Sequence, residues 1–195
     1  MLETVVSVFG RVEVLPFVVS ALLFALGYVV SYPVVVYDIS LLTWYPLLVW
    51  RRVRALVSPD DPWHRLFVFL FVFNSFSLLL NFVGGILVVL PPVFALFLGL
   101  NVGVIAVEEG GVAGLAVTVV NPVAWLELPA AWISLAIGFQ LARTVVSQGP
   151  VISVFAELAH VYVFVVLPLL LAAAFLEATL IRAVGVTGSD ARSTR

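Results

Sequence analysis

The chain contains no cysteine, and its nine basic residues are all arginine, with no lysine. Without cysteine there can be no disulfide bond, thiolate metal site or cysteine nucleophile. Charged residues make up only 10% of the 195 residues, against about 25% in a typical soluble domain. The net charge of −2 gives no electrostatic basis for nucleic-acid binding. Because so few charges cannot cover a surface in water, we expect lipid to be the solvent of this chain.

The common catalytic motifs are absent as well. The sequence has no P-loop, no GxSxG nucleophile motif, no HExxH motif and no dinucleotide fingerprint. Its two histidines, His64 and His160, have no neighbouring serine or threonine that would suggest nucleophilic catalysis. We therefore expect neither an enzyme nor a bound cofactor.

Long apolar runs dominate the sequence, which is 64% hydrophobic with a mean hydropathy of +1.24. Because about 20 apolar residues cross a bilayer, these runs predict an all-α, polytopic membrane helical bundle. We expect one domain over residues 1–185 and a disordered tail over 186–195. The predicted spans are 12–37, 63–89, 92–108, 121–143 and 151–182, with an interfacial helix at 39–57. The first run lacks a basic region before it, so we interpret it as a retained anchor.

The predicted interfacial segment is short and apolar, and it is interrupted by Pro46. Arg51, Arg52 and Arg54 follow at once, and an apolar stretch beside a basic cluster is typical of a helix lying in the membrane surface. The alternative is a cytoplasmic loop whose arginines extend to the interface.

Two further breaks divide the apolar runs. Between the second and third spans we favour a break at Pro91-Pro92 over one at 81–85, because proline cannot continue a helix. Residues 108–111, Glu-Glu-Gly-Gly, predict a turn. The short run 112–120 after it is interfacial, re-entrant or a simple approach to the next span.

The central span, 121–143, carries a carboxylate, Glu127, inside its apolar run. Asn121-Pro122 predicts the helix start, and Pro129 predicts a bend beside the carboxylate. At helical spacing Glu127 shares one stripe with small residues, which favours close packing of a neighbouring helix. The residues of this stripe are Glu127, Ala131, Ser134, Gly138 and Ala142. An ionisable group inside a span is costly, so Glu127 has either a structural hydrogen bond or a functional contact.

Three asparagines also lie inside predicted spans. Asn74 and Asn81 are seven residues apart on one helix face, and Asn101 lies between Gly99 and Gly103. Amides in membrane helices usually bond to a neighbouring helix, and small residues four apart mark a packing face. We expect all three asparagines to face the bundle interior.

The last span contains Glu157 and His160 at an ExxH spacing, which places both on one helix face. Di-iron bundles use this unit twice, and the chain has it once. The open alternatives are one metal ion held by Glu157, His160 and Glu127, a proton relay, or hydrogen bonding within the bundle. The full candidate polar site is Asn74, Asn81, Asn101, Glu127, Glu157 and His160.

Arginine placement predicts the orientation of the bundle. Five crossings put seven arginines on the side of the 38–65 connection and the C-terminus, and Arg11 and Arg143 on the other. The seven are Arg51, Arg52, Arg54, Arg65, Arg182, Arg192 and Arg195. By the positive-inside rule the chain is a multi-pass cell-membrane protein with its N-terminus outside and its C-terminus in the cytoplasm.

The order of several short motifs resembles the stage II sporulation protein M family. They are Phe73-Asn74-Ser75, Gly84 to Ile86, Asn101 to Gly103, Leu126 to Ala130 and Gly138. The resemblance covers roughly Trp63 to Arg143. The chain departs from the family pattern at three points. It has Asn74-Ser75 where a paired asparagine is usual and Asn101-Val102 where Asn-Gly is usual. The family often has His-Gly before the Leu-Glu step, whereas here Asn121-Pro122 lies somewhat upstream of that step. The resemblance implies a multi-span membrane protein without established enzymatic activity, whose sporulation member is a scaffold for cell-wall-degrading partners at the septal membrane.

Three hypotheses about function follow. The leading one is a membrane scaffold or assembly protein with membrane or peripheral protein partners, and self-association stays open. The second is a small permease or channel subunit, in which the six candidate residues would converge on a water-accessible cavity. The third, an intramembrane enzyme, requires Glu127, Glu157 and His160 to lie within hydrogen-bond reach of one another.

Overall fold

A computed structural model describes residues 10–58 and 60–193, and all regular secondary structure in this part of the chain is helical. The prediction of an all-α fold is therefore confirmed. The helices are α1 (Val14–Val36), α2 (Ser40–Leu56), α3 (Trp63–Val83), α4 (Leu90–Val120), α5 (Ala124–Val146), α6 (Val151–Val161) and α7 (Leu167–Ser193).

Five helical segments are long and apolar enough to cross a membrane, which confirms the predicted number of spans. They are Val14–Val36, Trp63–Leu87, Leu90–Val120, Ala124–Val146 and Val151–Ala183. The last of these is continuous, because a π-helical turn at Tyr162–Val166 joins α6 to α7 just before Pro168. Helix α2 is not one of the five, in keeping with its prediction as an interfacial helix.

Some boundaries differ from those predicted. The backbone of α7 stays helical to Ser193, beyond the predicted start of a disordered tail at residue 186. Residues 194 and 195 lie outside the described part. A short 3-10 turn at Gly84–Leu87 ends the second span, and the prolines occupy the first turn of α4, as the favoured break predicts.

Helix α4 reverses direction at Gly111, within the predicted turn. Gly111 adopts φ 59° and ψ −145°, a conformation that side chains disfavour. After it the chain returns along the preceding turns so closely that a Cβ on Gly114 would lie 1.9 Å from the carbonyl oxygen of Ala106. The Tyr28 hydroxyl of α1 donates to the carbonyl of Leu115 at 2.7 Å. Residues 112–120 therefore form a re-entrant segment, one of the three alternatives that the sequence leaves open.

The re-entrant segment brings the start of α5 into the interior of the bundle. Asn121 is extended, and its side-chain oxygen accepts from the backbone N–H of Val123 at 3.0 Å. Helix α5 begins at Ala124 rather than Asn121, and it is the most buried of the five spans. The stripe of small residues faces a neighbour as predicted, since Ser134 is fully buried and donates to the carbonyl of Leu78 in α3. The opposite side is also covered, with Leu135 completely buried, because α5 is the central helix.

Glycines allow the two closest helix crossings. A Cβ on Gly99 of α4 would lie 2.0 Å from the carbonyl oxygen of Phe24, and one on Gly27 of α1 would lie 2.0 Å from that of Leu96. The predicted packing face of α4 therefore meets α1. A Cβ on Gly85 would likewise lie 2.2 Å from the carbonyl oxygen of Gly138 in α5.

Polar contacts mark the two ends of the bundle. At one end Arg54 of α2 pairs with Glu109 at 3.2 Å, and Arg182 donates to the carbonyl of Asp61 at 3.1 Å. At the other end Arg143 donates to both oxygens of Glu13, once at 2.7 Å. The described arginines of the two predicted sides thus lie at opposite ends, while the cellular orientation stays a prediction.

Candidate functional site

Four of the six candidate residues line one cavity of the bundle, which is open on one side. Asn74 and Asn81 reach it from α3, Asn101 from α4 and Glu127 from the first turn of α5. The cavity has a volume of about 420 Å³, which falls within the usual range for ligand pockets, about 300–1,000 Å³. The three asparagines and Glu127 therefore lie on one shared surface between helices.

Asn74 and Glu127 form the central polar contact of the cavity. The Asn74 amide nitrogen donates to Oε1 of Glu127 at 2.6 Å. The contact exists because the re-entrant segment sets the start of α5 beside the middle of α3. A hydrogen bond to a carboxylate stabilises more than one between neutral groups, so this bond also holds the two helices in register.

The other two asparagines line the cavity, and their side chains form no hydrogen bond to another described residue. The Asn81 side chain is 8% exposed and forms no hydrogen bond within the described residues. Oδ1 of Asn101 is buried and also lacks a partner there. Buried polar groups are nearly always hydrogen-bonded in native proteins, so Oδ1 of Asn101 is unusual. Among the described residues the same holds for Ser75 Oγ, Trp132 Nε1 and Gln140 Nε2.

The remaining walls are apolar and rich in aromatic rings. Phe73, Phe94 and Phe97 come from the flanking spans. Tyr45 and Pro46 of α2 close one side, and the Tyr45 ring packs on Phe97 with 5.5 Å between centroids. The sequence placed α2 in the interface and gave no sign that it forms a wall of this cavity.

Glu157 and His160 do not join the site, so the convergence of all six residues that the permease hypothesis requires is not found for these two. Both side chains are exposed on α6, at the outer face of the bundle. Nδ1 of His160 pairs with the carbonyl of Ala156 in its own helix at 2.6 Å, and its ring stacks on Phe164. The ExxH spacing put the two residues on one face but could not tell which face meets a neighbour.

The structure brings a different carboxylate, Glu177 of α7, close enough to Glu127 for the two to interact electrostatically. Glu177 is not among the residues predicted from the sequence, although the reasoning that applies to Glu127 applies to it as well. Glu177 is likewise an ionisable side chain inside a predicted span.

No group of three or more His, Asp and Glu side chains in the described part of the chain is arranged to hold a metal ion. The single-metal alternative built on Glu127, Glu157 and His160 is therefore wrong. The enzyme hypothesis required these same three residues to lie within hydrogen-bond reach of one another, and they do not.

A sequence model of stage II sporulation protein M matches residues 17–180. The chain belongs to the stage II sporulation protein M family. No curated protein and no solved structure matches it. The family match extends well beyond the motifs between Trp63 and Arg143 that carry the resemblance. It includes most of α1, all of α2, both carboxylates and every residue that lines the cavity, so this stage II sporulation protein M family member has its candidate site inside the family region.

Proposed function

We propose that this chain is a non-enzymatic assembly protein of the membrane, which organises partner proteins through its bundle. The observation that carries the proposal is that the connections between helices are short. Consecutive helices in the described part are separated by at most six residues, so the chain is almost entirely a membrane bundle. Family membership supports the proposal, because the resemblance implies a scaffold for membrane and peripheral partners.

The lipid-facing surface offers the area that such partners need. Helices α1 and α7 expose large side chains, among them Val29 at 68% and Phe175 at 56%. Membrane helices associate by close packing rather than by hydrophobic burial, so an exposed apolar surface in lipid suits lipid or a partner helix equally. Only a direct capture experiment separates the two.

The test is site-specific photocrosslinking in native membranes. A photoreactive amino acid at Val29 or Phe175 should give crosslinked species of defined mass. The same residue at Leu135, which is completely buried, is the matched control and should give none. Recovery of the uncrosslinked chain alone from every exposed position would overturn the proposal.

The cavity favours a second candidate, a small permease or channel subunit. Polar side chains of three helices converge there, as that hypothesis requires of Asn74, Asn81, Asn101 and Glu127. Because the chain has no cysteine of its own, Asn81→Cys and Asn101→Cys can be tested with a membrane-impermeant thiol reagent. A transport route predicts rapid labelling of both, and protection equal to that of Ala136→Cys in the core would reject it.

A further inference from the structure

The acidic group of the cavity has no basic partner among the described residues that line it. Glu127 accepts one hydrogen bond from Asn74, but no Lys, Arg or His is among the described residues that line the cavity. Buried charges in proteins are normally paired, because removal of an ion from water is costly. Glu177, the other ionisable group near Glu127, is also a carboxyl group and supplies no positive charge.

The unpartnered amides add to this imbalance. Oδ1 of Asn101 is a buried acceptor without a donor. Asn81, which is more than nine-tenths buried, faces the same space with its amide unbonded. The cavity therefore has acceptors in excess, and an occupant that carries N–H donors and a positive charge would complete it.

The apolar walls define the rest of that occupant. Phe73, Phe94, Phe97 and Tyr45 surround the cavity, and aromatic faces attract cations as well as apolar bodies. A bare metal ion would use little of a volume of about 420 Å³ and would leave these rings without a role. A molecule with an apolar body and one cationic end fits both parts.

We propose that this cavity is a binding site for an organic ammonium ion with an aryl or alkyl body. Its N–H groups donate to Glu127 and to the side-chain oxygen of Asn81, and its body lies among the aromatic rings. The inference goes beyond the assembly function and does not require transport, because it concerns equilibrium binding to the folded chain.

The test measures binding of tritiated 2-phenylethylammonium to the full chain in phosphatidylcholine nanodiscs, with empty nanodiscs as the blank. Unlabelled 2-phenylethylammonium, 2-phenylethanol and phenylacetate then compete for the site. These three probes share an aryl body and differ in charge. We expect saturable binding of the tritiated ammonium. Unlabelled ammonium should compete at a concentration at least about tenfold lower than the alcohol or the anion, since hydrogen bonds to a charged group contribute most.

Variants locate the bound ion. Glu127→Gln should weaken binding by about tenfold or more, because it removes the charge but keeps an amide oxygen for Asn74. Asn81→Leu should weaken it severalfold while leaving every charge in place. The matched control is Glu157→Gln, a carboxylate within a span but outside the cavity, and it should not change the affinity.

Three results would overturn the proposal. One is no saturable binding of the ammonium to the wild-type chain, as expected if an acyl chain fills the cavity. Another is equal competition by the three probes. The last is undiminished binding to Glu127→Gln. If that variant fails to fold, the wild-type competition series and Asn81→Leu decide the question by themselves.

Discussion

At the residue scale, the bond between Asn74 and Glu127 has the largest energetic consequence in the cavity. It joins the middle of α3 to the first turn of α5 at 2.6 Å. In the absence of water, a carboxylate that loses its donor keeps its full desolvation cost. The pair therefore serves two purposes, since it stabilises the fold and fixes the position of the charge in the cavity.

Removal of the donor should destabilise the bundle. Asn74→Leu is expected to lower the free energy of unfolding by about 1.5–3 kcal/mol, the usual contribution of a hydrogen bond to a charged group. Unfolding in mixed micelles with an increasing fraction of dodecyl sulfate measures the change. Ser77→Ala is the control, because the Ser77 hydroxyl bonds only to the carbonyl of Phe73 in its own helix.

A double-mutant cycle separates this bond from general damage to packing. Glu127→Leu combined with Asn74→Leu should cost less than the sum of the two single changes, since each single variant leaves a buried group unpaired and the double variant leaves none. Strict additivity of the three values would contradict a direct interaction between the two side chains.

The sequence predicted this pair only in part. Asn74 and Glu127 could each be assigned to the interior, because polar groups are costly in lipid and their helices carry small residues beside them. Their direct contact depends on the register between α3 and α5, which helical periodicity does not contain. Glu157 and His160 were misassigned for the same reason, since periodicity defines faces but not neighbours.

At the scale of elements, backbone contact through glycine sets the crossing of α1 and α4. The two helices run in the same direction, with Phe24 beside Gly99 and Ser31 beside Gly103. The small-residue spacing around Asn101 predicted a packing face correctly. It could not predict α1 as the partner, because many helices present small residues.

A methyl group at the crossing should therefore be costly. Gly99→Ala places a Cβ 2.0 Å from the Phe24 carbonyl oxygen, so the helices must separate. We expect a loss of about 1–3 kcal/mol in unfolding free energy, the typical cost of overpacking. Gly110→Ala, which meets no atom within 4 Å, is the control. The same micelle titration measures both, and equal stability of the two variants would contradict this account of the α1–α4 contact.

The re-entrant segment marks the limit of local prediction among the elements. Residues 108–111 indicated a turn because of their two glycines, and the structure has one there. The direction that the chain takes afterwards depends on Tyr28, which is 87 residues away from Leu115 along the chain. No local pattern contains such a contact, so the sequence left three alternatives for residues 112–120.

At the scale of the whole molecule, the number of spans followed from composition and length alone, because the bilayer admits only helices of about 20 residues. The position of the cavity did not follow from them. It lies among α2, α3, α4 and α5, and α5 starts at its depth only because the chain re-enters after Gly111. Helix α5 is buried at the centre, and the other four spans pack around it.

The distribution of arginine also belongs to the whole molecule, and it predicts the orientation. The end with Arg54 and Arg182 should face the cytoplasm, and the end with Arg143 should face outward. In sealed cells an impermeant maleimide should label Ser147→Cys and should leave Asp60→Cys unlabelled until the membrane is permeabilised. Leu135→Cys should stay unlabelled throughout, because its position is completely buried. The reverse pattern would show that arginine does not orient this chain. Labelling of both exposed sites from outside would contradict an odd number of crossings between the two loops, and with it the described path of the bundle.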